Sequence, residues 1–213
     1  MKHFMNHELL APNVLRVPVD VSVIDEFRTL ADGRETGSGY QTYRPPWSSD
    51  IRWISADSAD TFRQFESAFE RLGIAAHVEP YVDLDKEVRL YAGFLHVRSE
   101  CAKADFHVDW DKTNNEAFTL ITPITDNAEG FGMLYRQLDG TVAEYEYRRG
   151  EGLLFGDHFI HSTKPGRSAS PVALLTFNFG TDKMVHWDKI ARTTGRQTGM
   201  LRMPDGELRR MPA

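Results

Sequence analysis

Apolar residues recur at helical spacing in two stretches of the first 85 residues. In the first stretch, Asp20 is followed by the apolar residues Val23, Ile24, Phe27 and Leu30. This spacing places their side chains on one face of a helix, and an aspartate just before a helix accepts hydrogen bonds from its free N–H groups. The pattern therefore predicts a short amphipathic helix that starts after Asp20.

The second stretch follows Ser58, a residue type that is also favoured at the position before a helix. Its apolar residues are Phe62, Phe65, Phe69 and Leu72. Gly73 is expected to end the helix, because glycine readily adopts the left-handed conformation that follows many helices. We interpret the phenylalanines as core packing and not as a cofactor site.

A segment rich in Gly, Ser and Pro, from Gly37 to Asp50, separates the two predicted helices. It is predicted to be a loop. Its aromatic and basic residues are Tyr40, Tyr43, Arg44 and Trp47. Two interpretations are open: the loop lines a pocket, or it lies on the surface with its aromatic side chains packed down.

Residues 88 to 180 show the pattern of short strands separated by turns, with turn signals such as Asp139-Gly140, Arg149-Gly150 and Pro165-Gly166. Seven such strands joined by tight turns predict a β-sandwich or barrel. The predicted strands are Val88–Arg98, Phe106–Trp110, Ala117–Ile124, Gly132–Leu138, Val142–Arg148, Gly152–Phe155 and Val172–Phe179.

After Thr181 the chain has few apolar residues, which predicts a short helix around Val185–Ile190 and then an extended or mobile tail. We take the chain as one domain, residues 1–213. Residues 1–85 are expected to provide helical support and an active-site loop, residues 86–180 the β core, and residues 181–213 a C-terminal extension.

The composition is that of an ordinary globular protein, with 41% hydrophobic and 26% charged residues. The net charge of −6 speaks against a general nucleic-acid binder. The basic residues of the C-terminal segment are interpreted as a solvated run: Arg192, Arg196, Arg202, Arg209 and Arg210. With Cys101 as the single cysteine and no apolar run long enough to cross a membrane, a cytoplasmic protein is expected.

The sequence Phe106-His107-Val108-Asp109 carries the strongest chemical signal. In an extended chain, alternation puts His107 and Asp109 on the same face. Two histidines, one carboxylate and open coordination positions are typical of non-haem Fe(II) oxygenases. The pair therefore predicts a metal site that a later histidine completes.

Two histidines, His158 and His161, follow the buried strand and glycine turn of GLLFGD. We favour His161 as the third ligand, because it starts a new extended stretch, His161-Ser162-Thr163. His158 lies in or just after the turn and is expected to be exposed or to lie behind the ligands. A His-x-Asp pair alone occurs often by chance, whereas the pair followed by strands, a glycine turn and a histidine is much more specific.

Residues 90 to 180 resemble the Fe(II)- and 2-oxoglutarate-dependent dioxygenases, near their phytanoyl-CoA and prolyl hydroxylase-like branches. The resemblance lies in FHVDWD, GEGLLFGDHFIHSTKPGR and VALLTFNFG. It implies a mainly β fold with N-terminal helices and a double-stranded β-helix (jelly-roll, cupin-like) core. It also implies Fe(II), 2-oxoglutarate as cosubstrate, O₂ as oxidant, and His107, Asp109 and His161 as iron ligands. The carboxylate ligand disfavours the related halogenases, which lack it.

One position departs from this family. Its members usually carry an arginine or lysine about ten residues after the second histidine, to bind the distal carboxylate of 2-oxoglutarate, and residues 168–172 here contain no base. We favour Arg167 as the replacement and consider Arg98 second, since either could grip a carboxylate with two N–H groups. Thr119 and Thr176 could add hydroxyl donors.

The resemblance implies hydroxylation or desaturation of a small organic substrate, with 2-oxoglutarate converted to succinate and CO₂. Two alternatives remain open. One is a cupin-like metal enzyme without 2-oxoglutarate, either a cosubstrate-free dioxygenase or an isomerase, which the missing base would support. The other is a non-catalytic barrel that binds a small acid. Neither a nucleic-acid nor a membrane partner is expected.

Overall fold

The computed structural model describes residues 5–6, 8–32, 39–45, 50–126, 131–194 and 198–211. Strands dominate this part of the chain. In chain order they are β1 (Met5–Asn6), β2 (Ala11–Pro12), β3 (Val14–Pro18), β4 (Tyr40–Tyr43), β5 (Arg52–Ala56), β6 (Arg89–Cys101), β7 (Ala117–Pro123), β8 (Gly132–Arg136), β9 (Val142–Glu146), β10 (Glu151–Phe155), β11 (His161–Thr163), β12 (Gly166–Gly180), β13 (Met200–Arg202) and β14 (Leu208–Arg210).

A large antiparallel sheet has the strand order β3-β10-β7-β12-β6-β5-β4, and a smaller one has the order β11-β8-β9. Buried side chains of both sheets form one hydrophobic cluster, in which Ile121, Phe155 and Leu174 of the large sheet meet Met133 and Tyr135 of the small one. Two antiparallel sheets enclosing a shared core make a jelly roll. The predicted double-stranded β-helix core is confirmed.

The predicted helices are present. The first is a helical segment that contains α1 (Val21–Ile24), a 3₁₀ turn (Asp25–Phe27) and α2 (Arg28–Ala31), and the Asp20 side chain accepts a hydrogen bond from Ser22 N. The second is α3 (Ala59–Arg71), which Ser58 caps. Gly73, two residues beyond its end, has a left-handed φ of 62°, as expected for a glycine that ends a helix.

Helix α3 packs on the face of the large sheet that points away from the small sheet. A Cβ atom at Gly93 of β6 would lie 2.5 Å from the Phe65 ring. Glycine at this position therefore lets the helix approach the sheet closely. Burial of one phenylalanine side chain stabilises a fold by roughly 1.5–3 kcal/mol, so this contact helps to fix the sheet behind the cavity described below.

Every predicted strand except Phe106–Trp110 is present. Only His107 of that segment is paired, through an isolated bridge to His161, so the His-x-Asp motif lies in an irregular segment beside the small sheet. The segment cannot extend its pairing because β11 opposite it has only three residues. Sequence reasoning also missed β3, β4 and β5 in the first 85 residues.

The predicted loop between the helices is described only in part, since Gly37 and Trp47 lie outside the described residues. Its described part contains β4, the edge strand of the large sheet. Tyr40 is buried there, whereas Tyr43 is exposed over 41% of its surface. The open question of a pocket loop or a surface loop is therefore answered at Tyr43, which lines a cavity.

The C-terminal segment has the predicted helix, as a 3₁₀ turn (Met184–His186) followed by α4 (Trp187–Thr194). Beyond it lies a hairpin of β13 and β14, where we expected an extended or mobile tail. Met200, Leu201 and Met203 are buried, and these three apolar side chains anchor the hairpin against the rest of the fold. None of the described helices is long and apolar enough to cross a membrane.

Candidate metal centre

Three potential metal ligands, His107, Asp109 and His161, meet at one end of the small sheet. One ligand atom of each residue lies within 4.8 Å of the corresponding atoms of the other two. Asp109 Oδ1 lies 3.6 Å from His107 Nε2 and 3.7 Å from His161 Nε2. The backbones of His107 and His161 exchange two hydrogen bonds of 2.9 Å, and this pairing holds the two imidazoles side by side.

The hydrogen bonds of the two imidazoles determine which nitrogen is available to a metal. His107 Nδ1 lies 2.8 Å from the carbonyl oxygen of Asp105, and His161 Nδ1 lies 3.1 Å from that of Phe159. Since a carbonyl can only accept, each Nδ1 carries a hydrogen, and Nε2 is the nitrogen whose lone pair a metal can use once that nitrogen is deprotonated. Both lone pairs belong to the nitrogens nearest Asp109, which is the arrangement that metal-binding histidines require.

Asp109 is held both at its side chain and at its backbone. Thr119 Oγ1 lies 3.0 Å from Asp109 Oδ2 and accepts a 3.0 Å hydrogen bond from the indole N–H of the fully buried Trp110. Because the indole occupies the acceptor side of the Thr119 hydroxyl, the hydroxyl hydrogen can point to the carboxylate. At the backbone, Thr193 of α4 donates a 2.5 Å hydrogen bond to the Asp109 carbonyl.

Asp157 connects the two ligand-bearing segments. Its carboxylate accepts hydrogen bonds from the Thr113 hydroxyl at 2.5 Å and from Asn114 N at 3.0 Å, four and five residues beyond Asp109. Three non-glycine residues in this segment have left-handed φ values: Lys112, Asn114 and Asn115, at 60°, 62° and 64°. Such conformations are costly unless the surroundings impose them, and Asp157 supplies part of that constraint.

His158, our second choice for the third ligand, is exposed and does not belong to the group of potential ligands. Its φ of 70° places it in the turn that Asp157 starts. The predicted group of His107, Asp109 and His161 is therefore the one that the fold brings together.

Charges within the group are strongly coupled. The Asp109 carboxylate raises the pKa of His107 to about 9, because it stabilises the imidazolium. Burial alone would raise the pKa of Asp109, but the neighbouring His107 and His161 hold it below its ordinary value. Burial lowers the pKa of His161. The group is therefore a carboxylate with one neutral and one easily protonated imidazole, and a metal ion must displace the His107 proton to bind.

The ligand group opens into a cavity of about 1050 Å³. Of the residues we predicted to bind a cosubstrate, Arg98, Thr119 and Thr176 line this cavity, whereas Arg167 does not. The Arg167 side chain is 75% exposed and pairs with Glu100 at 2.7 Å. Arg167 lies near the start of β12, where it pairs with Glu100 at the end of β6. A register shift between Arg167 and Val172 separates this part of β12 from the part that lines the cavity. Our preference for Arg167 over Arg98 is therefore not supported by its position.

Arg98 is buried in the cavity wall and pairs with Asp50. Its Nε and Nη2 donate hydrogen bonds of 3.0 and 2.6 Å to Asp50 Oδ2, and Nε also donates to the Glu100 carbonyl. Its Nη1 donates no hydrogen bond to the described residues. Arg98 of β6 pairs directly with Val172 of β12. It therefore lies on the strand next to residues 168–172, the segment in which the family usually carries its base.

Two polar atoms of the cavity wall are buried without a hydrogen-bond partner among the described residues: His96 Nε2 and Thr176 Oγ1. Leaving such atoms unpaired costs about 1–3 kcal/mol each, so their presence at a cavity fits a site that binds a polar ligand. Burial lowers the pKa of His96 to about 3, so this imidazole is neutral. Sequence reasoning missed His96, although Phe94, His96 and Arg98 alternate along β6 and alternation puts them on one face.

Of the aromatic residues near the motifs, Tyr91 and Trp110 are fully buried core residues, and the Tyr135 ring stacks on Phe159. Tyr147, which we did not select, lines the cavity, and burial raises the pKa of its phenol. Nothing in the sequence distinguishes Tyr147 from the neighbouring Tyr145, which instead donates a hydrogen bond to Glu151.

No protein-family model matches the sequence, and no curated protein is detectably similar to it in sequence. Solved structures do match the fold. HygX from Streptomyces hygroscopicus, solved with nickel and 2-oxoglutarate, superimposes with a TM-score of 0.61 at 15% identity, over 84% of this chain and 88% of HygX. SnoN, an α-ketoglutarate-dependent epimerase from nogalamycin biosynthesis, gives 0.61 at 12% identity, over 80% of this chain and 79% of SnoN.

A prolyl-4-hydroxylase from Pseudomonas putida gives a TM-score of 0.56 at 13% identity, over 79% of this chain and 92% of that enzyme. The matches cover most of each protein, so they concern the whole architecture and not only the barrel. The chain therefore has the double-stranded β-helix fold of the Fe(II)- and 2-oxoglutarate-dependent oxygenase superfamily.

Proposed function

We propose that the chain is a non-haem Fe(II)- and 2-oxoglutarate-dependent oxygenase that hydroxylates or desaturates a small organic substrate. The observation that carries this proposal is the group of His107, Asp109 and His161, with both Nε2 atoms next to the carboxylate. Two imidazoles and one carboxylate at the mouth of a cavity fit Fe(II), because they leave coordination positions for other ligands.

His107, Asp109 and His161 would hold the iron. Bound together, Fe(II) and 2-oxoglutarate would activate O₂ and supply the oxidising power for C–H chemistry, and 2-oxoglutarate would leave as succinate and CO₂. The chain's own part is to orient the ligands through Thr119 and Thr193, and to keep the reacting region away from bulk water.

Arg98 is the residue that we propose as the anchor for the distal carboxylate of 2-oxoglutarate. It lines the cavity, it is screened from solvent, and its Nη1 is available for a further hydrogen bond. Thr176 Oγ1 and His96 Nε2 line the same cavity and have no hydrogen-bond partner in the described part of the chain, so they could complete the binding of an acid. A buried carboxylate without such partners would be costly.

The reaction type is the finer part of the proposal. Structural neighbours include an epimerase and a carbocyclase as well as a prolyl-4-hydroxylase. Among outcomes of this range, we propose hydroxylation or desaturation for this chain.

The test is an anaerobic titration of the purified protein with Fe(II) and then with 2-oxoglutarate, followed by visible absorption. A weak charge-transfer band is expected for the native chain and for His158→Ala, which is a matched control because His158 is exposed and outside the ligand group. The band should disappear in His107→Ala, Asp109→Ala and His161→Ala, with unchanged far-ultraviolet circular dichroism. A band that survives in His161→Ala but not in His158→Ala would show that the ligand assignment is wrong.

A further inference from the structure

We propose that the substrate is a flat aromatic molecule with a carboxylate group. This inference rests on the proposed function and names its substrate class. The cavity volume of about 1050 Å³ is at the upper end of the roughly 300–1,000 Å³ usual for small-molecule sites. Since 2-oxoglutarate is a short acyclic diacid, the part of the cavity away from Arg98 is left for another molecule.

One wall of the cavity is aromatic. Tyr43 of β4 and Trp53 of β5 stack with their ring centroids 5.6 Å apart and their planes 16° from parallel. Trp53 packs with Ile51 and Phe94 in a hydrophobic cluster that is separate from the other buried clusters of the described residues. All four side chains line the cavity. They therefore form an aromatic and apolar wall, in which the Tyr43 and Trp53 rings lie nearly parallel.

The polar face of the site comes from the end of α4. Arg192 lines the cavity and is exposed, and it has no acidic or hydrogen-bonding partner among the residues that the structure describes. The next residue, Thr193, donates its hydrogen bond to the Asp109 carbonyl, and Arg192 lines the same cavity as His107, Asp109 and His161. An unpaired guanidinium beside a cavity is suited to a carboxylate.

The aromatic wall and the basic end of α4 belong to the same side of the molecule. The segment after α4 packs against β4 and β5, where Gly199 N donates to Ser55 Oγ at 3.1 Å and a Cβ atom at Gly199 would lie 2.6 Å from the Gln41 side chain. Gln41 and Thr198 line the cavity between the two walls. A ring placed against Tyr43 and Phe94 can therefore direct a carboxylate to Arg192 while the metal ligands stay accessible.

The probe is 2-naphthoate, compared with neutral 2-naphthamide and with the saturated decalin-2-carboxylate. Each would be titrated calorimetrically into protein loaded with Ni²⁺ and saturating 2-oxoglutarate, so that no turnover occurs. We expect 2-naphthoate to bind at least tenfold more tightly than either analogue, because only this compound has both an aromatic ring for the aromatic wall and a carboxylate for Arg192. The proposal would be overturned if the three compounds bind equally well. It would also be overturned if 2-naphthoate shows no binding up to a concentration on the order of 10 mM.

Substitutions in the two walls identify the residues that bind the probes. Arg192→Gln should weaken 2-naphthoate about fivefold to tenfold and leave 2-naphthamide unchanged, whereas Lys189→Gln, the same charge change on the same helix but outside the cavity, should have no effect. Tyr43→Leu should weaken both aromatic probes about fivefold to tenfold. Trp53→Leu should do the same, and the exposed Tyr43 keeps the test decisive if the buried Trp53 variant fails to fold.

Competition separates this inference from the function on which it rests. If 2-naphthoate displaces 2-oxoglutarate, it occupies the Arg98 anchor and the substrate proposal is wrong. If 2-oxoglutarate binds with its absorption band and 2-naphthoate does not bind, only the substrate class fails. If neither the metal nor 2-oxoglutarate binds, the proposed function itself fails.

Discussion

Replacement of Arg98 by glutamine should weaken 2-oxoglutarate binding more than any other change outside the metal ligands. The Arg98 side chain is only 10% exposed, so water screens its charge poorly. Loss of a buried, hydrogen-bonded charge partner costs about 2–5 kcal/mol. Asp50 already shares this guanidinium, which places the expected loss near the lower part of that range, at about 2–4 kcal/mol or about 30- to 900-fold in Kd.

The ion pair with Asp50 creates a second explanation that the experiment must exclude. Arg98→Gln removes the Arg98 cation from beside the Asp50 carboxylate in the cavity wall, and the less neutralised carboxylate would repel a dianion even if Arg98 never touched it. The double variant Arg98→Gln, Asp50→Asn removes both charges. If Arg98 binds 2-oxoglutarate, the double variant stays weak. If the loss came only from the exposed Asp50 charge, the double variant recovers the native affinity.

The assay is anaerobic titration of the Fe(II)-loaded protein with 2-oxoglutarate, followed by the visible band, with Fe(II) affinity measured separately. Arg167→Gln is the matched control, because Arg167 is three-quarters exposed, is paired with Glu100 and lies outside the cavity. It should bind 2-oxoglutarate as the native chain does. A change below tenfold in Arg98→Gln, or full recovery in the double variant, would refute the assignment of the anchor.

Three further predictions concern the metal ligands and their supports. Because Asp109 raises the pKa of His107 to about 9, metal affinity should rise about tenfold per pH unit from pH 7 to pH 9 and then level off. The affinity would be measured by competition with a chelator and corrected for the chelator's own protonation, and an affinity that does not change with pH would contradict the prediction. Thr119→Val should lower metal affinity about tenfold and Thr119→Ser should restore it, as measured by the same competition, since the hydroxyl orients Asp109. Asp157→Ala should destabilise the chain by about 2 kcal/mol and lower Tm by about 4–8 °C in a thermal melt, because Thr113 and Asn114 lose the carboxylate that accepts their hydrogen bonds. An unchanged Tm would show that the 111–116 segment holds its conformation without Asp157.

The grouping of His107, Asp109 and His161 was the part of the candidate site that the sequence predicted best. The His-x-Asp spacing and the later histidine describe short-range geometry, and an extended backbone places such side chains without help from the rest of the fold. His107 and Asp109 share one side even though their segment is not a regular strand, because a single bridge to His161 is enough to keep it extended.

The anchor was harder to predict, because it depends on register. Arg167 and Arg98 are both on strands that border the cavity, but a register shift between Arg167 and Val172 turns the start of β12 outward, and Arg98 lies opposite Val172. A shift of one residue reverses the face of every following side chain. The sequence gives no signal for that irregularity, so it could not decide between the two arginines.

Among the strands of the first 85 residues, β5 was missed for a different reason. β5 has four consecutive buried residues after Arg52, since α3 covers one face of the sheet and the cavity cluster covers the other. A strand buried on both faces lacks the alternation from which an isolated sequence pattern is recognised. The position of Arg192 at the cavity was missed because a C-terminal run of arginines is usually solvated, whereas the segment that follows it packs at Gly199 against β4 and β5.

The hydrogen bond from Thr193 to the Asp109 carbonyl has a consequence for the order in which the site is built. Chains fold while they are synthesised, and N-terminal parts emerge first. His107, Asp109 and His161 are all made before α4, so a nascent chain can bring the ligands together before Thr193 exists to brace them. The ligand group is then complete in composition but unsupported on one side. Full affinity for the metal would arise only when α4 has docked, so metal loading would be one of the last steps in the maturation of this protein.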